Sequence, residues 1–570
     1  MPSGTWETTE CPHRILAAHD NHIHESNLMP FTFEHSSTKK SDRLPRTGLS
    51  ILAILLVIPL LGACGGSASS TTQLTYGLTL SPSGIDPHIN ASSELTIPLR
   101  SVYDTLVFED PINGGFVPGL AESWNVSSDG LIYTFNLRSD VHFHDGTPFN
   151  AQAVKANIDY ILNPDNHSQK AAFMLGAFQQ VEVVSEYTVA FHLSEPFAPL
   201  MDSLSQVYLG MASPEALQQW GATEYQFHQV GTGPYRFVEY IPNDRITLER
   251  YADYAWGPSV YNSDQAQIDE IVFRFYEDEA TRALALQSGE VDIIGEIPPH
   301  DALRLTESGD FNLYAVPIPG QPLQFLFNTD RSPTDDALAR TALIQAVDRV
   351  GIVDTLFGTF SPVAEGPLCA TTYGFSPDYP FPAYNPDAAA ASLDDLGWID
   401  DDGDGTRSRD GVDLELLLVV PPWGSNPEAG QLVAAAWEAL GARVTIEVAP
   451  GFGLLKEAQT AGAYHAIGIN FFGADPDLLR SFYASDGLYN WTGVRDDDLD
   501  QLLLLASIEW QDREAREEYY AEVAEFLRDE ALILPLRDYV NIVLTNTDVS
   551  GLRFSAQGWS PFLIDLRLEP

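Results

Sequence analysis

Leu131-Ile132-Tyr133-Thr134-Phe135-Asn136-Leu137 alternates apolar and polar side chains with the period of two that a half-buried strand requires. Val141-His142-Phe143-His144 continues the alternation on a neighbouring strand. Residues 150–162 then read as a helix with Asn150 as N-cap, ended before Pro164. Two further strands follow at 181–184 and 188–193. The same style runs outward from this stretch in both directions. Upstream, residues 73–78 read as a strand and 95–107 as a helix. Downstream, a helix at 281–288 stops at Gly289, a strand follows at 291–294, and an amphipathic helix is expected over 336–350. Residues 414–420, 427–440 and 444–448 read as strand, helix and strand, and 496–530 as two acidic amphipathic helices. Such alternation implies α/β layers and excludes a helical bundle or a sandwich.

Ahead of the first strand the chain reads differently. A basic segment with Lys39, Lys40, Arg43 and Arg46 precedes an apolar run from Leu49, which closes in Leu61-Gly62-Ala63-Cys64. Basic, apolar and small residues in that order read as a secretory signal, and the run is shorter than the roughly 20 residues of a spanning helix. Its ending resembles the lipobox of bacterial lipoproteins, in which the Cys is lipid-modified and becomes the first mature residue. Cys64 is therefore the expected lipidation site, after an N-terminal extension and signal peptide at 1–63. Ser, Gly, Ala and Thr fill 65–72, so 64–72 reads as a flexible tether. Met29 gives a basic region of more ordinary length than Met1 does.

Composition narrows the function. The balance of 80 acidic to 30 basic residues gives a net charge of −50, which disfavours any polyanion and excludes a nucleic-acid partner. With Cys11 in the removed segment and Cys64 acylated, Cys369 stands alone, so neither an internal disulfide nor a Cys-ligated metal site is available. The 570-residue chain exceeds what one core supports, so two or three compact units are expected.

Several segments together resemble the extracellular solute-binding proteins, family 5, of ATP-driven peptide and nickel importers. They are Val117-Pro118-Gly119-Leu120-Ala121-Glu122-Ser123-Trp124 with Ser128-Asp129-Gly130, and Tyr133-Thr134-Phe135-Asn136-Leu137-Arg138 with 141–151. Gly231-Thr232-Gly233-Pro234-Tyr235 and Ala285-Leu286-Gln287-Ser288-Gly289-Glu290-Val291-Asp292 follow, then Phe327-Asn328, Arg340, Asp348-Arg349 and Tyr384-Asn385-Pro386-Asp387. The resemblance implies a class II periplasmic-binding-protein-like fold of two lobes, with an additional domain on the first. The boundaries expected are 73–108, 226–318 and 535–570 for lobe I, 109–225 for the extra domain, and 319–534 for lobe II. It also implies a monomeric receptor, without cofactor or catalysis, that carries peptides in its cleft to an ATP-binding-cassette permease on the outer side of the membrane. Nickel chelates and oligosaccharides are the alternative ligands, and a surface-anchored hydrolase is the alternative class. Most of the motifs suit scaffold: Leu120, Trp124, Phe135 and Phe143 suit a core, and Gly231 to Pro234 suit a bend where the chain crosses between lobes.

Asp475 lies in Phe471-Phe472-Gly473-Ala474-Asp475-Pro476. In peptide-binding relatives an aromatic-small-small-Asp segment supplies a carboxylate for the ligand's α-amino group, which Phe472 and Asp475 match; capping of the next turn is an equal account. Asn90, Ala91 and Ser92 stand where relatives run a strand edge along the ligand, or form an ordinary loop. Trp423, Ser425 and Asn426 offer an aromatic wall and polar groups ahead of a helix, which Asn426 also suits as a cap. Asp400-Asp401-Asp402-Gly403-Asp404-Gly405 begins like a calcium loop, but Gly411 occupies the twelfth position, where such a loop needs Glu, so a turn is expected. His142 and His144 share a strand face without a third ligand, and no metal site is expected.

Overall fold

The computed structural model of the protein describes residues 71–449 and 452–569. The signal, Cys64 and most of the expected tether lie outside the described residues. Two large sheets and one smaller sheet organise the rest. The first lobe holds a seven-stranded mixed sheet, ordered Phe311–Pro317, Val540–Asn546, Ile293–Ile294, Gln73–Leu78, Glu270–Phe275, Arg245–Arg250 and Tyr235–Ile241. The second lobe holds five strands, ordered Arg443–Val448, Glu415–Val420, Ala466–Phe472, Gly320–Phe327 and Ile533–Arg537. Each lobe has its own apolar core, one centred on residues such as Tyr76, Leu248 and Phe273, the other on Phe325, Leu418 and Trp437. The architecture is the expected α/β, two-lobed fold.

The additional domain is a four-stranded antiparallel sheet, ordered Ala121–Val126, Ile132–Leu137, Thr188–Leu193 and Phe178–Ser185. Tyr133, Phe135 and Leu137 point inward from the strand that opened the sequence argument, and they join the first lobe's core. Helix Ala151–Leu162 begins where Asn150 accepts hydrogen bonds from the backbone N–H groups of Gln152 and Ala153, at 3.0 and 3.1 Å.

The chain passes directly between the two large sheets twice. It crosses from Phe311–Pro317 into Gly320–Phe327, and returns from Ile533–Arg537 into Val540–Asn546. The second crossing falls after Arg537, a few residues beyond the boundary expected at 534. The two crossings are joined by the Ile318 N–H, which donates to the Tyr539 carbonyl at 2.9 Å. Two adjacent, short connections are the arrangement that lets lobes rotate as rigid bodies.

Three local expectations fail for tertiary reasons. Residues 95–107 form only a short helix, Thr96–Leu99, and a turn over 100–102, because the next carbonyls are taken by a distant segment: Gly233 and Tyr235 donate to the carbonyls of Val102 and Ser101, each at 2.9 Å. Gly231 and Gly233 therefore serve close approach within the first lobe, not a crossing between lobes. A Cβ on Gly231 would stand 2.0 Å from the Val102 oxygen. Residues 141–144 form a turn with one isolated bridge, His142 to Pro148, in place of a strand. The 336–350 helix is broken in two, Ala337–Gln345 and Arg349–Phe357, with Asp348 capping the second.

Candidate functional site

Between the lobes lies a cavity of about 50 Å³ whose walls include Arg100, Glu109, Lys170, Phe472, Gln557 and Trp559. Phe472 closes the strand Ala466–Phe472 and is the second lobe's one side chain among the described lining residues. Its ring stacks on Trp559, centroids 5.5 Å apart and tilted by 23°, and meets Tyr539 edge-on at 4.8 Å. Small-molecule sites usually span about 300–1,000 Å³, so the cavity as it stands is smaller than such a site. Further contacts join the additional domain to the second lobe's helices. The Ala198 N–H donates to the Ser507 carbonyl at 2.8 Å, and Gly130, at φ +72°, lies so close to Trp510 that a Cβ would stand 2.3 Å from its Nε1.

Charges of both signs face this space. Arg100 lies over the Phe108 ring and donates to the Ser205 carbonyl, while Lys170 lies over the Tyr208 ring. The Gln557 amide nitrogen sits 3.2 Å from both a Glu109 oxygen and an Asp202 oxygen, and so bridges two carboxylates. Burial pushes Glu109 up to about 7, against the Gln557 hydrogen bond and the Arg100 charge, with Asp475 adding to the rise. Burial raises Asp202 well above the usual carboxylate range, and the neighbouring Glu109 and Asp475 reinforce it. Burial also pulls the Lys170 ammonium down to about 8, against the attraction of Asp202. Among the described residues, three buried polar atoms on the lining have no partner: Arg100 Nε, Ser555 Oγ and Trp559 Nε1.

The residues expected from sequence fall around this space unequally. Phe472 lines it. Asp475 is gripped by Arg516, whose two terminal nitrogens donate to its two oxygens at 2.9 and 2.7 Å, and one of those oxygens also accepts from the Asp477 N–H at 2.9 Å. Asn90, Ala91 and Ser92 form a loop, and the Ser92 carbonyl accepts from the Tyr208 hydroxyl at 2.9 Å; Ser93, next in line, reaches the cavity. Trp423, Ser425 and Asn426 stand near the hinge, where Gly424 between them offers its carbonyl to Arg537 at 3.5 Å. Asn426 is the first residue of helix Asn426–Ala439 and not its cap: its amide donates to the Trp423 carbonyl at 2.6 Å, and Ser425, at φ +58°, precedes the helix without a side-chain cap.

Both groups weighed as metal sites make local hydrogen bonds. Asp400, Asp402 and Asp404 converge, but oxygens of all three accept backbone N–H groups of their own turn, from Gly403, Gly405, Asp404 and Thr406. His144 donates to the Gly233 carbonyl at 2.9 Å and packs against Tyr251, whereas His142 is exposed. Sequence reasoning missed Arg100, Glu109, Lys170, Asp202, Gln557 and Trp559. Only Lys170 carried a signal, as one of three lysines after the signal segment.

Residues 115–493 match the family of bacterial extracellular solute-binding proteins, family 5 Middle. The chain is 35% identical over 281 residues to the glutathione-binding protein GsiB of Pectobacterium atrosepticum, covering 49% of this chain and 52% of that one. It thus spans about half the length of the curated relatives it matches. Among solved structures, NikA of Brucella suis in complex with Fe(III)-EDTA superposes with a TM-score of 0.76 at 25% identity, over 87% of this chain and all (100%) of that one. DppA of Helicobacter pylori in complex with the peptide STSA gives 0.72 at 23% identity, over 87% and 98%. No helix among the described residues is long and apolar enough to cross a membrane. The chain belongs to the bacterial extracellular solute-binding proteins, family 5.

Proposed function

We propose that this chain is a lipid-anchored, extracytoplasmic receptor that delivers short peptides, as a monomer, to an ATP-binding-cassette importer. One observation carries the reading: a cavity with an aromatic wall and charges of both signs, lying between two lobes that only two short crossings join. A zwitterionic solute of modest size satisfies both signs at once. Neutral oligosaccharides leave those charges buried and unanswered, which is costly. No histidine is among the described lining residues, which counts against a nickel–histidine complex. Phe472 forms the wall, Asp475 adds its charge from behind, and residues 90–92 and 423–426 shape the approaches. The bound lobes are what the permease reads.

Native mass spectrometry of the full chain, purified in detergent from its bacterial host, tests this. Co-purified peptides support the reading. A co-purified sugar or metal chelate, or turnover of an added peptide, replaces it.

A further inference from the structure

We propose that the ligand's amino terminus is received on the first lobe by Glu109, with Asp202 behind it, and not by Asp475. The assignment rests on the peptide reading above and names the end of the peptide this cavity takes. Three carboxylates converge here, and they differ in what already neutralises them. Asp475 is held by the two-pronged Arg516 contact, so its oxygens are committed. The described link between Glu109 and Asp202 is the neutral Gln557 amide, Asp202 also accepts from the Gln206 amide at 2.7 Å, and neither carboxylate has an ion-pair partner within 4.0 Å among the described residues. Two carboxylates sharing one neutral bridge in a buried place favour a proton or a cation between them. An entering ammonium that displaces the Gln557 amide supplies that charge together with several N–H donors.

The unpartnered atoms specify what accompanies the ammonium. Among the described residues, Trp559 Nε1 and Arg100 Nε are donors without acceptors, and Ser555 Oγ is also unmatched. All three residues are more than nine-tenths buried and line the same cavity. A buried donor left unmade costs free energy, so these atoms call for an acceptor on the ligand. A cation with a nearby acceptor is the aminoacyl end of a peptide, an ammonium followed by its first carbonyl. The stacked Phe472 and Trp559 rings then flank the first side chain.

Zero-length cross-linking tests this on the unaltered full chain. A carbodiimide joins an amine to a carboxylate it touches, forming an amide as the urea leaves. Free-amine short peptides of mixed sequence should link to Glu109 or Asp202 by peptide mapping, and N-acetylated peptides should link to neither. A link at Asp475, or at any other carboxylate alone, overturns the assignment. Glu109→Gln and Asp202→Asn provide an independent reading, because both remove like charge from a crowded pair and keep side-chain shape. Native mass spectrometry of the unaltered protein should show a preference of about ten-fold or more for free over acetylated peptides. In the double variant that preference should fall to within about two-fold. An undiminished preference overturns the assignment while leaving the peptide receptor intact. Retention of no peptide of either kind by the unaltered protein is a different result, which overturns the receptor reading itself.

Discussion

Arg516, on the helix Arg513–Asp529, closes a two-pronged ion pair on Asp475, in the loop that follows the strand Ala466–Phe472. The same guanidinium donates through Nε to the Ala506 carbonyl at 2.8 Å and through Nη2 to the Tyr520 hydroxyl at 3.2 Å. Asp475 is thereby the centre of a joint between the second lobe's helices and its sheet. The segment that presents Phe472 to the cleft is fixed by that joint.

Removing one partner of such a buried pair leaves the other charge uncompensated, which typically costs about 3–5 kcal/mol. Asp475→Ala should therefore lower the urea midpoint by a corresponding amount. Adding Arg516→Met should recover most of the loss, since the stranded charge disappears with it. A double variant destabilised by the sum of the two single substitutions would show that the two residues act separately.

The two glycines of Gly231-Thr232-Gly233 are held by backbone proximity, with Cβ positions 2.0 and 2.3 Å from the oxygens of Val102 and Ser101. Those oxygens belong to the main chain and have no rotamer to give. Gly231→Ala should thus cost more than the roughly 1–3 kcal/mol of ordinary overpacking. Gly146 offers the contrast: its φ is +84°, but nothing lies within 4 Å of its Cβ position. Gly146→Ala should cost only about 1–2 kcal/mol, the strain of a left-handed alanine. Melting temperatures of the two variants decide the order.

These contrasts show where sequence was informative. Asn150 was readable as a cap because its partners, Gln152 and Ala153, are two and three residues away. The 95–107 helix was misread because its outcome depends on Gly233 and Tyr235, more than a hundred residues on, whose N–H groups take the carbonyls a helix would have used. Alternation at 141–144 looked like a strand because a turn with two buried residues, Val141 and Phe143, has the same period. Asp475 was readable as special, from its place after an aromatic. Its partner was not, since Arg516 arrives by helix packing. Glu109 was invisible among 80 acidic residues: what distinguishes it is an amide from Gln557, 448 positions away.

Cys64 carries the anchoring proposal. With Cys11 upstream of the signal and Cys369 buried, substitution to Ser leaves no thiol at the cut to take lipid. Each buried methylene of an acyl chain contributes about 0.8 kcal/mol to membrane attachment, so loss of the chains should free the protein. Cys64→Ser should abolish incorporation of a labelled fatty acid and move the protein from the membrane to the soluble fraction. Undiminished labelling would place the lipid elsewhere or nowhere.

His465 predicts a loss of stability in acid. Its Nδ1 accepts from the Leu417 N–H at 2.8 Å, and its Nε2 donates to the Ser332 carbonyl at 3.1 Å, so the neutral ring is fully satisfied. A second proton would point at the Leu417 N–H. Burial, with the nearby Arg331 charge, pulls its pKa down to about 4, against the Ser332 hydrogen bond and Glu415. In the unfolded chain a histidine titrates near 6.5. Between those values the unfolded state binds the extra proton and the folded state does not, so stability rises with pH. The contribution is full above about 6.5 and is lost progressively as pH falls toward 4, by roughly 3 kcal/mol at most. His465→Gln keeps a polar side chain without that proton site. Its urea midpoint should therefore fall less between pH 7 and pH 5 than that of the unaltered protein. Parallel pH dependence in the two proteins would mean that His465 takes up its proton without disturbing the bonds to Leu417 and Ser332.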